Sequence, residues 1–270
     1  MSDLPTKEKR NEVVMFSGGV GSWAAAKRAA ERHGTDNLTL LFTDTRMEDE
    51  DLYRFLDEAA SNVGGRLVKL AEGRNPWHVF FDERFLGNSR RDPCSKILKR
   101  QMADRWLREN CDPAATVVYV GIDWTEEHRY NGLRDRRAAD GWRYEAPLCE
   151  PPYLTKADVF AWLKREGIRL PRLYELGFAH NNCGGFCVKA GQGHFANLLR
   201  AMPDRYAKHE ALERAMRAYL GKDVSVLTDR RGDGKKKPLT LRDLRMRIES
   251  GAQVDAFDIG GCGCFVEELA

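Results

Sequence analysis

The chain has 270 residues, 42% hydrophobic and 31% charged, and its 44 basic and 41 acidic side chains leave a net charge of +3. That composition supports a real core in one large domain, or in a domain of roughly 200 residues with an appendage, and its balanced charge does not demand a nucleic-acid partner. No apolar run approaches the ~20 residues that span a bilayer, and the opening "MSDLPTKEKRNE" lacks a signal-peptide core, so no membrane partner and a cytoplasmic location are expected.

Residues 1–11 read as a polar tail. "EVVMF" is a buried strand, followed by the turn "SGGVGS" and an alanine-rich helix from about Ser22 to His33. "LTLLFTD" is a second strand, and "EDEDLYRFLDEAASNVG" a helix with an apolar stripe through Leu52, Phe55, Leu56 and Ala59. "RLVKLA" is a third strand, Ser95 to Glu109 a helix, and "ATVVYVGID" a fourth strand. Strands alternating with helices at this spacing predict an α/β fold, a parallel sheet covered by helices, over residues 12–153. From residue 154 the strands fade into a mostly helical C-terminal region, 154–270, that carries paired cysteines. "TKADVFAWLKREG" is a helix with Thr155 as N-cap and Gly167 as its stop. "FANLLRAMPDRYAKHEALERAMRAYLG" is helical with a break at Pro203, and "LTLRDLRMRIES" is the last helix. "RYNGLRDRR" and "RRGDGKKKP" are basic patches able to meet phosphates, with solvated loops as the plainer reading.

A strand that stops at Gly-Gly and re-enters as a helix directs backbone N–H groups at an anion, and the helix dipole adds favourable potential. The hydroxyls of Ser17 and Ser22 can donate as well, while glycine permits close approach and positive φ. With no lysine, the loop is not G-x-x-x-x-G-K-[ST], nor is it G-x-G-x-x-G. A tight turn packed for structure alone is the alternative reading of these six residues.

Seven cysteines without a secretion signal favour metal or redox chemistry over a disulfide framework. Cys183/Cys187 and Cys262/Cys264 form glycine-flanked pairs, a pattern that lets the backbone wrap around large sulfur ligands. Cys94, Cys111 and Cys149 stand alone, the last two read as packing residues. His194 reads as a core or surface histidine before a ligand contact.

"SGGVGS" resembles the S-G-G-x-D-S loop of the ATP pyrophosphatase (PP-loop) superfamily, with Gly21 where its ATP-hydrolysing members usually carry aspartate. "FTDTRMEDEDLYRFLDE", "CSKILKR", "GIDWTEEHRYNGLRDRR" and "PLCEPPYLTKADVFAWLKREGIRLPRLYELGFAHNNCGGFC" resemble, in order and spacing, segments of the phosphoadenosine-phosphosulfate (PAPS) reductase-like family, including its iron–sulfur branch. The resemblance covers about Val13 to Cys187. Trp124 and Glu126 depart from the family's arginine-rich pattern, and its C-terminal E-C-G-x-H motif is absent.

The resemblance implies a Rossmann-like PP-loop domain whose Ser17, Gly18, Gly19, Gly21 and Ser22 hold phosphate. Thr43, Asp44 and Thr45 would sit beside the nucleotide at the carboxyl edge of the sheet, where Asp44 as a turn or capping residue is the alternative. Lys96, Lys99 and Arg100 would face the anionic substrate, the two lysines as catalytic groups; Arg129, Arg134, Arg136 and Arg137 are weaker candidates. Cys94, Cys183 and Cys187, with Cys262 or Cys264 as fourth ligand, would hold a [4Fe–4S] cluster. Zinc on Cys183, Cys187, Cys262 and Cys264 is the rival, and ordinary thiols are a third reading.

Three functions follow. The first, favoured on the missing E-C-G-x-H motif, is an ATP-dependent enzyme, with or without Mg2+, that adenylates an acceptor and lets a sulfur donor displace AMP; the acceptor is a nucleic acid or a small molecule. The second is a sulfonucleotide (PAPS/APS) reductase with Cys262 or Cys264 as nucleophile. The third is a non-catalytic nucleotide- and cluster-binding partner in a modification complex. A homo-oligomer is compatible with all three.

Overall fold

The computed structural model describes residues 10–88, 91–229 and 237–252, together with 254, 258 and 260. Strand β1 (Asn11–Met15) leads into helix α1 (Val20–His33), β2 (Leu38–Asp44), α2 (Glu50–Val63), β3 (Arg66–Ala71) and α3 (Pro76–Asp82). A continuous helical stretch follows, built from α4 (Pro93–Ser95), a π-helical segment (Lys96–Gln101) and α5 (Met102–Asn110). Then come β4 (Thr116–Tyr119), α6 (Glu127–Ala139), β5 (Arg143–Glu145), α7 (Lys156–Arg165) and α8 (Arg172–Glu175). Helices α9 (Gln192–Ala201) and α10 (Pro203–Leu220), the strand pair β6 (Leu227–Asp229) and β7 (Lys237–Leu239), and α11 (Leu241–Glu249) complete the described α-helices and strands, which short 3-10 turns connect in places.

The expected α/β sheet is present, with five strands in the order β3-β2-β1-β4-β5. Strand β1 pairs in parallel with β2 and β4, and β4 with β5. Val13, Val14, Leu40, Leu41, Val117 and Val118 are buried, as strands covered on both faces by helices require. Several sequence boundaries move. Helix α1 starts at Val20 rather than Ser22, the fourth strand ends at Tyr119, and the helix expected from Ser95 begins at Pro93 and passes through the π segment. The "RYNGLRDRR" patch, for which a solvated loop is the alternative to a phosphate contact, lies on α6, while "RRGDGKKKP" falls mostly outside the described residues. Thr155 caps α7 in a capping box with Asp158, and Gly167 follows that helix at φ 75°. Among the described residues no helix is long and apolar enough to cross a membrane.

The chain divides into two compact units that are not consecutive in sequence. One contains residues 1–43, 51–70 and 102–170, and the other residues 44–50, 71–101 and 171–270. In the first, Arg28 is buried and donates to the carbonyls of Pro147 (2.7 Å), Glu150 (2.9 Å) and Pro152, which fixes the turn before α7. In the second, Trp77, Phe80, Phe186, Phe195, Tyr206, Met216 and Leu244 belong to one apolar cluster that also includes Cys94 and Cys187.

Two titratable groups are sealed in that second unit. The Trp77 indole N–H donates to His209 Nδ1 at 2.9 Å, and the His209 ring stacks on Phe186 with centroids 3.9 Å apart. Burial, followed by the charges of Arg205 and Lys208, pushes the His209 imidazole down to about 3. Glu213 accepts the N–H of Val226 (2.9 Å) and of Leu241 (2.6 Å), which anchors the strand pair and the start of α11. Burial pushes its carboxyl up to about 7, against the pull of those two N–H donors.

The signs oppose. Below pH 6.5 unfolded His209 takes up a proton that the folded ring refuses, so its contribution to stability is lost as pH falls. Folded Glu213 binds its proton first, so its contribution rises as pH falls from about 7 toward 4.5. The His209 part is isolated by difference from His209→Gln, which keeps an acceptor for Trp77. Between pH 6.5 and 5 the wild type should lose about 2 kcal/mol relative to that variant in urea unfolding. Parallel pH profiles would contradict a neutral buried His209.

Candidate nucleotide loop and cysteine pocket

In the first unit, β1 ends at Met15, and Phe16 N–H still donates to Leu41 O at 2.8 Å before the chain turns. Gly18 has φ 77°, and a Cβ there would stand 2.9 Å from Leu52 Cγ, so both conformation and space demand glycine. Gly19 is the N-cap of α1, no side chain caps it, and the first turn carries no acidic residue. The helix end is therefore left with the electrostatics an anion requires. Ser22 donates to Gly19 O at 2.8 Å, and Ser17 donates to Ser22 Oγ at 3.4 Å, so the two hydroxyls brace the loop. A Cβ on Gly21 would lie 3.2 Å from Gly121 O, and one on Gly121 would lie 2.8 Å from the Gly21 carbonyl carbon. These paired glycines pack the loop closely against the chain that follows β4.

Thr43 is buried near the end of β2 in this unit. The arginines of α6 are largely engaged: Arg129 with Glu126, Arg134 with Asp135 (3.0 Å) and Arg137 with Asp104 (3.0 Å). Arg136 is half-buried on the same helix. Cys111 and Cys149 are also here, both half-buried. Burial lifts both thiols, Cys149 to about 11 with further help from Glu127, Asp123 and Glu150, so neither is an activated thiolate.

The second unit contains a pocket, partly open to solvent, whose lining includes Thr45, Asp92, Ser95, Lys99, Phe186 and Lys189 together with Cys94, Cys183 and Cys187. Three of the cysteines singled out from sequence thus meet in one place. Cys94 sits in the three-residue α4, and the π segment behind it carries Lys99 buried and Lys96 exposed. Such segments shift the helical register at functional sites. Arg100 is buried but directed at Asp92 Oδ2 (3.5 Å) and Ser95 Oγ (3.4 Å). Asp44 accepts the Arg46 N–H at 2.7 Å, the turn role considered for it.

The cysteine turn is a run of left-handed residues: Cys183 at φ 52°, Gly184 at 58° and Gly185 at 84°. Glycine allows the second and third, whereas Cys183 needs an external hold. Sequence reading did not single out what supplies it. Glu48 accepts the Cys183 N–H, takes the Thr45 hydroxyl at 2.8 Å and pairs with Lys99 at 3.6 Å. His194 is buried and bonds Gly185 O at 2.8 Å, and desolvation lowers its pKa, so it braces the turn as a core histidine.

Cys262 and Cys264 lie outside the described residues, but the chain just before them is anchored. Ala190 and Gly260 form an antiparallel bridge, Gly193 N–H donates to Asp258 O at 2.9 Å, and Gln192 N–H donates to the Asp258 carboxylate at 3.2 Å. A Cβ on Gly260 would come within 2.5 Å of Lys189 O, so glycine is required for this approach. Cys262 follows two residues later, at most about 7 Å along the chain, and Cys187 precedes Ala190 by three. Among the described residues no three His, Cys, Asp or Glu side chains form a ready cage for one metal ion. Cys94, Cys183 and Cys187 are thiols of the type that either a zinc ion or an iron–sulfur cluster takes as ligands.

The family model described as "Phosphoadenosine phosphosulfate reductase domain" matches residues 11–186. A solved structure of phosphoadenylyl-sulfate (PAPS) reductase from Candida auris, in a phosphate complex, is 16% identical over 64% of this chain and 80% of that one, with a TM-score of 0.43. No curated protein matches. The family model spans the glycine loop, the strand-end threonines, the Cys94 segment and Cys183, and on that match the chain belongs to the phosphoadenosine phosphosulfate reductase domain family.

Proposed function

We propose that the protein binds an adenine nucleotide with its phosphate on Ser17–Ser22 and carries out reductive sulfur chemistry on a sulfonucleotide of the PAPS or APS type. In this reading Cys94, Cys183, Cys187 and one of Cys262 and Cys264 hold a [4Fe–4S] cluster, and the remaining tail cysteine is the nucleophile. The observation that carries it is the bridge from Ala190 to Gly260, which ties the segment before Cys262 to the turn after Cys187. Five cysteines then divide into four ligands and one spare thiol. Bound there, the cluster supplies a polarising, redox-active centre for chemistry at sulfur.

The tail thiolate attacks the sulfonyl sulfur, forming an S–S bond as the S–O bond to the phosphate breaks and the adenosine phosphate leaves. A second thiol, from a dithiol reductant, attacks the cysteine sulfur, releases sulfite and leaves a disulfide. Lys99 supplies positive charge in the pocket for the sulfonate oxygens. Lys96, exposed on the same π segment, is assigned to the outer part of the substrate.

Gly21 separates this reading from ATP-dependent adenylation and sulfur transfer. An aspartate at that position would press on Gly121 O, so the loop is built without the carboxylate common in ATP-hydrolysing relatives. The adenylation reading keeps one point in its favour, the missing E-C-G-x-H motif. It requires ATP, a sulfur donor and an acceptor, nucleic acid included.

The two part in one assay on anaerobic protein. With a dithiol reductant, PAPS or APS should yield sulfite, and ATP should yield no pyrophosphate. Pyrophosphate release with no sulfite would replace reduction by adenylation.

A further inference from the structure

Resting on that reading of the pocket, we propose that Glu48 is a positioning residue that sets both the cysteine turn and the charge presented to the substrate's anionic group. Its side chain is 1% exposed and that of Lys99 3%. One carboxylate oxygen takes the Thr45 hydroxyl at 2.8 Å and faces Lys99 Nζ at 3.6 Å. The other accepts the N–H of Cys183, the one non-glycine residue in the left-handed run from 183 to 185. A β-carbon at φ 52° is strained, and a charge-assisted bond to that residue's own N–H opposes the strain.

The adjoining residues grip the same turn. Met47 O would lie 2.7 Å from a Cβ on Gly184, so the backbone before Glu48 lies against that glycine. Arg205 donates to Gly184 O (2.6 Å) and to Asp49 (2.9 Å), and Asp49 is fully buried and held also by Arg172 at 2.7 Å. Segment Thr45–Asp49 is thus a template over which the Cys183 turn is moulded. The same carboxylate offsets the charge of Lys99, so an incoming sulfate or sulfonate must share that lysine with Glu48. The pocket's preference for its anion is then set by a carboxylate as much as by a lysine.

Two variants separate the roles. Glu48→Gln keeps an oxygen for the Cys183 N–H and removes the negative charge beside Lys99; Glu48→Ala removes both. On the apo full-length chain, iodoacetamide labelling of Cys183, read by peptide mass spectrometry against Cys94 and Cys187, should accelerate at least about fivefold in Glu48→Ala and less than about twofold in Glu48→Gln. Inorganic sulfate should bind Glu48→Gln at least about fivefold more tightly than wild type, while AMP affinity at the phosphate loop stays within about twofold. Unchanged labelling in Glu48→Ala would overturn the positioning role, and unchanged sulfate affinity in Glu48→Gln the charge role. Should Glu48→Ala not fold, the sulfate result with Glu48→Gln decides. None of these readouts needs iron or turnover, so a failed cluster assignment would appear separately, as wild-type protein without iron.

Discussion

Gly18→Val is expected to reduce affinity for AMP, APS and PAPS by about 100-fold or more, a loss of about 2.7 kcal/mol. Two costs act together. Valine at φ 77° is strained, and its first side-chain carbon would meet Leu52 Cγ at 2.9 Å. Leu52 is fully buried on α2, so it has little freedom to yield, and the loop must open instead. Opening disperses the N–H groups at the start of α1 that a phosphate would use together. Ser22→Ala is the gentler companion. It removes the 2.8 Å bond to Gly19 O but no backbone geometry, and should weaken binding by about tenfold. Isothermal titration on variants with wild-type circular dichroism checks both, and wild-type affinity in Gly18→Val would refute the assignment of the loop.

The second large effect belongs to the thiols. Cys94→Ser, Cys183→Ser and Cys187→Ser should each remove most of the iron and the absorbance near 400 nm from anaerobically reconstituted protein, because an alcohol is a far poorer ligand than a thiolate. Cys111→Ser and Cys149→Ser should leave both unchanged, since burial raises the pKa of both thiols and neither residue is among those lining the pocket. Of Cys262→Ser and Cys264→Ser, one should cost iron and the other only sulfite release. Equal retention of iron by all the single variants would contradict the ligand set.

Much of the sheet was legible because long apolar runs such as "LTLLFTD" have few alternatives to a buried strand. Strand β5 and the β6–β7 pair were not legible: three residues each are too short for a pattern, and their neighbours create them. Helix α6 was hidden because only Leu133 is buried on it, so it reads as a charge run. The π segment depends on backbone bonding that no side-chain period reports. At the candidate site, the glycines and cysteines stood out because few other residues can do their work. Glu48 did not, since in "RMEDED" a carboxylate reads as an ordinary helix start; only the fold turns it toward Cys183 and Lys99. Lys189 and Asp258 were missed for the same reason, each acquiring its place from the bridge that joins Ala190 to Gly260.

The most direct measurement is the metal content and absorbance of the full-length protein purified without oxygen. Iron and acid-labile sulfide near four per chain, with a broad band near 400 nm, are the expected result. Colourless protein holding one zinc per chain would contradict the account of the cysteine pocket.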